Sequence, residues 1–167
     1  KMRGKPGTKI TLTLSRKNVD KPIVVNLTRA IIKVKSVRHH LLEPNYGYIR
    51  VSQFQERTVA GINEAAKALI KANKGAPLKG IILDLRDDPG GLLDGAVGVS
   101  AAFLPADAKV VSTKGRDGKE GMVLKARPED YIRTSGRDPL ADLPAELKTI
   151  PMTVLINSGS ASASEIV

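Results

Sequence analysis

Pro151-Met152-Thr153-Val154-Leu155-Ile156-Asn157-Ser158-Gly159-Ser160-Ala161-Ser162-Ala163-Ser164-Glu165-Ile166-Val167 carries two signals in succession. Met152–Ile156 is short, apolar and rich in β-branched residues, bounded by Pro151 and Asn157-Ser158-Gly159, which predicts a core strand. Ala and Ser then alternate, and Ser162-x-x-Glu165 has the capping-box spacing that opens a helix. A strand, a tight turn and a helix in that order can present a nucleophilic serine. Small neighbours admit a substrate carbonyl, and free N–H groups of the first helical turn can hold an oxyanion. A serine that only caps a helix has the same local pattern. Three serines at alternate positions exceed what one cap needs, and such small side chains bury little apolar area, so access explains the stretch better than stability.

A second strand–loop–helix unit lies upstream. Lys79–Leu85 reads as an apolar strand leading into Arg86-Asp87-Asp88-Pro89-Gly90-Gly91, and a helix is expected at about Leu92–Phe103. Two such units predict βα crossovers and a mostly parallel sheet, with the loops at the strands' C-terminal ends meeting on one edge. That topology places Gly90-Gly91 near Ser162. Two backbone donors, one at Gly90 or Gly91 and one at Ala163, could then converge on a carbonyl oxygen; glycines that serve only a positive φ are the plainer alternative.

Elsewhere, Thr8–Arg16 alternates as a half-buried strand, and Ile23–Leu27 and Ala30–Val37 give two more β-like runs. Pro44-Asn45 marks a turn before a strand at Tyr48–Phe54. Thr58–Lys74 repeats apolar residues at helical spacing, with Thr58 as the expected cap. Lys109–Thr113 and Gly121–Arg127 suggest a hairpin, and the proline-interrupted Pro128–Leu147 reads as a surface excursion or mobile segment.

The 167 residues hold no cysteine, which excludes thiol catalysis and disulfides. Net charge is +10, and residues 1–50 hold 12 Lys/Arg against 2 Asp/Glu, so this segment carries the whole excess. Without a nucleic-acid module or interleaved aromatics, the basic residues do not point to nucleic acid. No cofactor is expected. Asp84, Asp87 and Asp88 around Arg86 are more simply ion-paired than metal-binding, so no metal site is expected either. A serine nucleophile needs a base; His39 and His40 are the only histidines, and no Lys stands out by sequence. The first residue, Lys1, and a close about one turn into a predicted helix mark the chain as a fragment.

Asn157–Ile166, Leu83–Gly91, Gly47-Tyr48-Ile49-Arg50 with Phe54, and Met2–Thr8 together resemble the C-terminal processing peptidases, or tail-specific proteases. The motifs occur in the family's order along almost the whole chain. The resemblance implies a Ser–Lys peptidase on a crotonase-like (ClpP/crotonase) α/β core, a mixed, mostly parallel sheet with covering helices, preceded by a β-rich remnant of a PDZ domain. It divides the chain into a PDZ remnant at 1–18 and a truncated peptidase core at 19–167. It also implies Ser162 as nucleophile, and the N–H groups of Gly91 and Ala163 as oxyanion donors. The general-base Lys and the Gln that orients it would lie past Val167, so the fragment alone is expected to be inactive. Substrates would be proteins or peptides captured by their C-terminal tail through the PDZ domain, in a periplasmic or otherwise exported setting, with room for membrane proximity and a homo-oligomer. Where many members have Asn-Asn before Pro-Gly-Gly, this chain has Asp87-Asp88, a change expected to alter local hydrogen bonds without touching a proposed role. Two alternatives stand beside this reading: a non-catalytic PDZ-containing binding module, and a crotonase-type acyl-thioester enzyme that needs no Ser162.

Overall fold

Period-2 patterning in the first third and helical patterning after Thr58 resolve into two compact units, Lys1–Val34 and Lys35–Val167, in a computed structural model that describes residues 2–30, 35–133 and 136–167. In the first unit, β1 (Lys9–Leu14) pairs antiparallel with β2 (Ile23–Thr28), with Lys9 opposite Thr28 and Leu14 opposite Ile23. The expected domain limit at 18/19 falls in the turn of this hairpin, where Asn18 takes φ 65. Ile10 and Leu12 are half-buried and their neighbours exposed, the alternation of a one-sided ribbon.

The second unit is built on a four-stranded sheet. Strands β3 (Val37–Glu43) and β4 (Tyr46–Val51) form an antiparallel hairpin turning at Asn45, which takes φ 71. Strand β5 (Gly80–Asp84) lies parallel to β4, and β8 (Met152–Leu155) parallel to β5. The central strands bury Ile49, Val51, Ile81 and Leu83, as near-continuous apolar strands do when covered. Of the predicted run Ala30–Val37, Ala30, Lys35 and Ser36 lie outside any strand and Val37 opens β3, while residues 31–34 lie outside the description.

Helix α1 (Thr58–Ala72) covers β3 and β4 with Val59, Ile62, Ala65, Ala66 and Leu69. Thr58 is its first residue and not its cap. The buried Thr58 hydroxyl accepts from the Gln55 N–H at 2.8 Å and shares a hydrogen bond with Ser36 at 2.8 Å, so it organises the entry loop. Helix α2 (Leu93–Phe103) is buried at every position from Gly95 to Phe103, as expected of a helix apolar all round. Ala96, Val99, Ala102 and Phe103 join the main core, while Val97 and Ala101 meet a second cluster with Ala126 and Tyr131.

Strands β6 (Lys109–Lys114) and β7 (Glu120–Lys125) form the expected hairpin. The segment after it is docked and not a free excursion. Short α3 (Pro128–Tyr131) and a 3₁₀ turn at Ala145–Lys148 flank Leu140 and Leu143, which pack on the main core, and Leu147 is 1% exposed. Asn63 on α1 holds this segment by donating to the Pro139 carbonyl at 2.7 Å and to Asp142 at 2.8 Å. Apolar residues spaced between prolines give that stretch a buried side that its overall polarity conceals. Helix α4 (Ala163–Ile166) ends the described chain. Among the described residues no helix is long and apolar enough to cross a membrane.

Candidate active site

Strands β5 and β8 run parallel and side by side, so the loops leaving their C-terminal ends must meet, and they do. After β8, Asn157 turns its side chain onto the β5 loop. Its Oδ1 accepts from the Asp87 N–H at 2.9 Å, and its Nδ2 donates to Asp87 Oδ1 at 2.9 Å. Ser160 donates to the Leu85 carbonyl at 2.8 Å, the Ala161 N–H to the Asp88 carbonyl at 3.1 Å, and the Ser164 hydroxyl to that same carbonyl at 3.0 Å. Of the three alternate serines, Ser160 and Ser164 are thus tied down by hydrogen bonds between the loops, and Ser162 stands between them.

Ser162 is exposed and precedes α4, with φ 55 and ψ −112. That conformation is one glycine favours, and a side chain there persists only where the surroundings over-determine it. The flanking bonds at Ala161 and Ser164 do so. Glu165 closes back on the Ser162 N–H at 2.7 Å, while the Glu165 N–H goes to the Ser162 carbonyl at 3.0 Å. Ser162 and Glu165 thus close a reciprocal capping box at the start of α4, with the Ser162 side chain lying towards the Glu165 N–H.

Facing this turn is the glycine loop. Gly90 takes φ 93, and a Cβ placed there would fall 2.6 Å from the Ala161 carbonyl oxygen and 2.8 Å from the Ala163 nitrogen. Gly91 takes φ 145 and is clamped to Phe54: the Phe54 N–H donates to the Gly90 carbonyl at 2.9 Å and the Leu92 N–H to the Phe54 carbonyl at 2.9 Å. A Cβ at Gly91 would lie 2.1 Å from the Phe54 carbonyl oxygen, so backbone approach alone requires glycine. The Gly90 N–H is taken by Asp88 Oδ1 at 2.8 Å. Among the described residues neither the Gly91 nor the Ala163 N–H has a hydrogen-bond acceptor.

The aspartates divide differently from expectation. Among the described residues Arg86 pairs with Asp84 alone, through Nε at 2.9 Å and Nη2 at 2.8 Å. Asp84 is fully buried and also receives Arg50 at 3.1 Å and the Tyr48 hydroxyl. The Arg86 guanidinium, with help from Tyr48 and the Arg86 N–H, holds its carboxyl well below the usual carboxylate range despite burial. Asp87 sits 3.9 Å from Arg50 and is otherwise a loop tie. Asp88 is fully buried without an ion pair, and its Oδ2 has no partner among the described residues. Burial pushes its carboxyl up, against the opposing pull of the Gly90 N–H, Ser164 and Arg50.

The candidate bases do not join Ser162. His39 and His40 lie on β3, opposite Ile49 and Tyr48, with His40 against the Tyr48 ring at 4.7 Å. Three strand spacings, about 14 Å, separate β3 from β8. Lys148, whose ammonium is pushed down by burial, donates to the carbonyls of Ala101 at 2.8 Å and Leu104 at 2.6 Å. It caps the C-terminal end of α2, about 16 Å of helix from the glycine loop that precedes it. A cavity of about 430 Å³ lies beside Leu92, Asp94 and Gly95, lined also by Val59 and Tyr131, and does not include Ser162.

The fold is a mixed α/β domain in which a strand–turn–helix serine meets a glycine loop from the neighbouring parallel strand. The chain belongs to peptidase family S41, whose family model matches residues 45–167. It is 45% identical over 166 residues, 99% of its own length, to a carboxy-terminal-processing protease of Bartonella bacilliformis, and 34% identical over 165 residues to the carboxy-terminal processing protease CtpA of Bacillus subtilis. It spans about a third of these relatives, 34% and 31% of their lengths. Among solved structures, a photosystem II D1 C-terminal processing protease superposes with TM-score 0.57 at 22% identity, covering 98% of this chain and 40% of that one. An S41 protease from Bacteroides fragilis gives 0.53 at 16%, over 95% and 43%. These relatives lend no support to the binding-module or acyl-thioester alternatives.

Proposed function

We propose that the chain is the nucleophile-bearing part of a serine endopeptidase that processes protein C-termini. The observation that carries this reading is the meeting of Ser162, held in a strained turn, with the Gly90-Gly91 loop, leaving the Gly91 and Ala163 N–H groups without other acceptors among the described residues. Ser162 Oγ attacks the scissile carbonyl carbon as its proton passes to a base. The carbonyl π pair moves to oxygen, and that oxyanion takes the Gly91 and Ala163 N–H groups. Collapse expels the amine, which receives the proton, and leaves an acyl-enzyme that water resolves by the same steps. The base is a Lys outside these 167 residues, the other half of a Ser–Lys dyad.

The sheet and its covering helices serve as a crotonase-like core, and the Met2–Thr8 motif with β1 as the closing part of a PDZ domain that captures substrate tails. Exported placement accords with such a role. The test is hydrolysis of a peptide bearing a free C-terminal tail by the intact protein. Ser162→Ala is expected to lower kcat by on the order of 10⁴-fold or more while the fold is kept, whereas the same change at Ser160 or Ser164 leaves a nucleophile in place. Full activity in Ser162→Ala would remove the proposal.

A further inference from the structure

We infer that Asp88 is the positioning residue of the oxyanion hole, its side chain setting the glycine loop and its main chain setting the serine turn. The inference rests on the function proposed above and deepens it. Asp88 Oδ1 accepts the Gly90 N–H at 2.8 Å, within a buried carboxyl that has no ion-pair partner among the described residues. With that N–H held inward, the next amide, Gly91, is the one left to face a ligand. The Asp88 carbonyl meanwhile accepts the Ala161 N–H and the Ser164 hydroxyl, which bracket Ser162 and Ala163 on both sides. One residue thus joins the two amides whose separation must match one oxygen atom. Displacing such donors by a fraction of an ångström to one ångström is enough to lose most of their effect.

Only an acceptor at Oδ1 is needed for this, and Oδ2 makes no hydrogen bond among the described residues. Asparagine keeps the acceptor and the shape, while leucine keeps only the bulk. In the intact protein, Asp88→Leu and Asp88→Ala are therefore expected to lower kcat for peptide hydrolysis by on the order of 10²-fold with KM changed by no more than about twofold, since the loss falls on the transition state. Asp88→Asn is expected to restore kcat to within about threefold of the unmodified protein. The rate at which a fluorophosphonate labels Ser162 should follow kcat.

Unchanged kcat in a folded Asp88→Leu, or an Asp88→Asn as slow as Asp88→Leu, overturns the assignment. If neither apolar variant folds, amide exchange on the unmodified protein decides: the Gly90 N–H should be protected and the Gly91 N–H open until a peptide boronic acid is bound. Equal exchange at both overturns the assignment as well. Ser162→Ala, measured alongside, separates the two levels. Activity surviving in it removes the proposed function itself, whereas an inactive Ser162→Ala beside a fully active Asp88→Leu removes only the role of Asp88.

Discussion

At the scale of single residues, Ser162 is placed by strain as much as by contact. Its φ of 55 and ψ of −112 suit glycine, and holding a β-carbon there costs on the order of 1–3 kcal/mol. The flanking bonds at Ala161 and Ser164 oppose relaxation, so the strain is stored in the turn that exposes the hydroxyl. A substitution can separate the two effects. Ser162→Ala loses the hydroxyl and keeps the β-carbon, while Ser162→Gly loses both. Ser162→Gly is therefore expected to be as inactive as Ser162→Ala but more stable than it by about 1 kcal/mol, part of the relief being returned as glycine's larger folding entropy. Thermal or urea unfolding of the two variants measures the difference, and a Ser162→Gly less stable than Ser162→Ala would show that the turn is unstrained. The sequence identified this serine among three only through its resemblance to a family. The capping-box spacing marks Ser162 only as a helix start, whereas what ties down Ser160 and Ser164 lies in partners on the loop after β5, Leu85 and Asp88, some 75 residues away in the chain.

At the scale of elements, the loop from Asp84 to Gly91 is where sequence reading fell shortest. Pro-Gly-Gly after an apolar strand announced a turn, and the turn is there. Four charges in five residues announced ion pairs without saying which would be buried, since burial is decided by the strands alongside. Tyr48 and Arg50 reach Asp84 from β4, whereas Asp88 holds the Gly90 N–H and forms no ion pair among the described residues. The two carboxyls therefore respond to pH in opposite senses. Asp84 has a depressed folded value, so its stabilisation is full above its ordinary value of about 4 and is lost as pH falls through the folded value. Asp88 has a raised one, so its contribution is full below about 4 and is lost as pH rises through the raised value. Asp84→Asn is expected to cost about 3 kcal/mol at neutral pH, a deficit that narrows below pH of about 4. Asp88→Asn is expected to gain on the unmodified protein as pH rises from about 4 to 7, because it carries no charge to bury. Unfolding curves across that range test both, and parallel pH profiles for all three proteins would contradict the assignment of the two carboxyls.

At the scale of the whole molecule, the two strand–loop–helix units were enough to indicate a mostly parallel sheet, which the antiparallel β3–β4 pair makes a mixed one, and they correctly brought the glycine loop to the serine turn. Docking of the segment after β7 was not legible, because Leu140, Leu143 and Leu147 are spaced by prolines and belong to no single period. The proposed catalytic arrangement still needs a base. An unassisted serine hydroxyl is a weak nucleophile and needs a neighbouring base. Within the second unit, the histidines lie three strands from β8, and Lys148 is spent on the far end of α2. The 167-residue chain alone is accordingly expected to react with a fluorophosphonate no faster than its own Ser162→Ala variant, while the intact protein labels at Ser162. Intact-mass measurement gives the stoichiometry, and circular dichroism confirms that the shorter chain has folded. Labelling of the folded short chain at the rate of the intact protein would mean that the base lies within these residues, and Lys→Ala substitutions along the chain would then locate it.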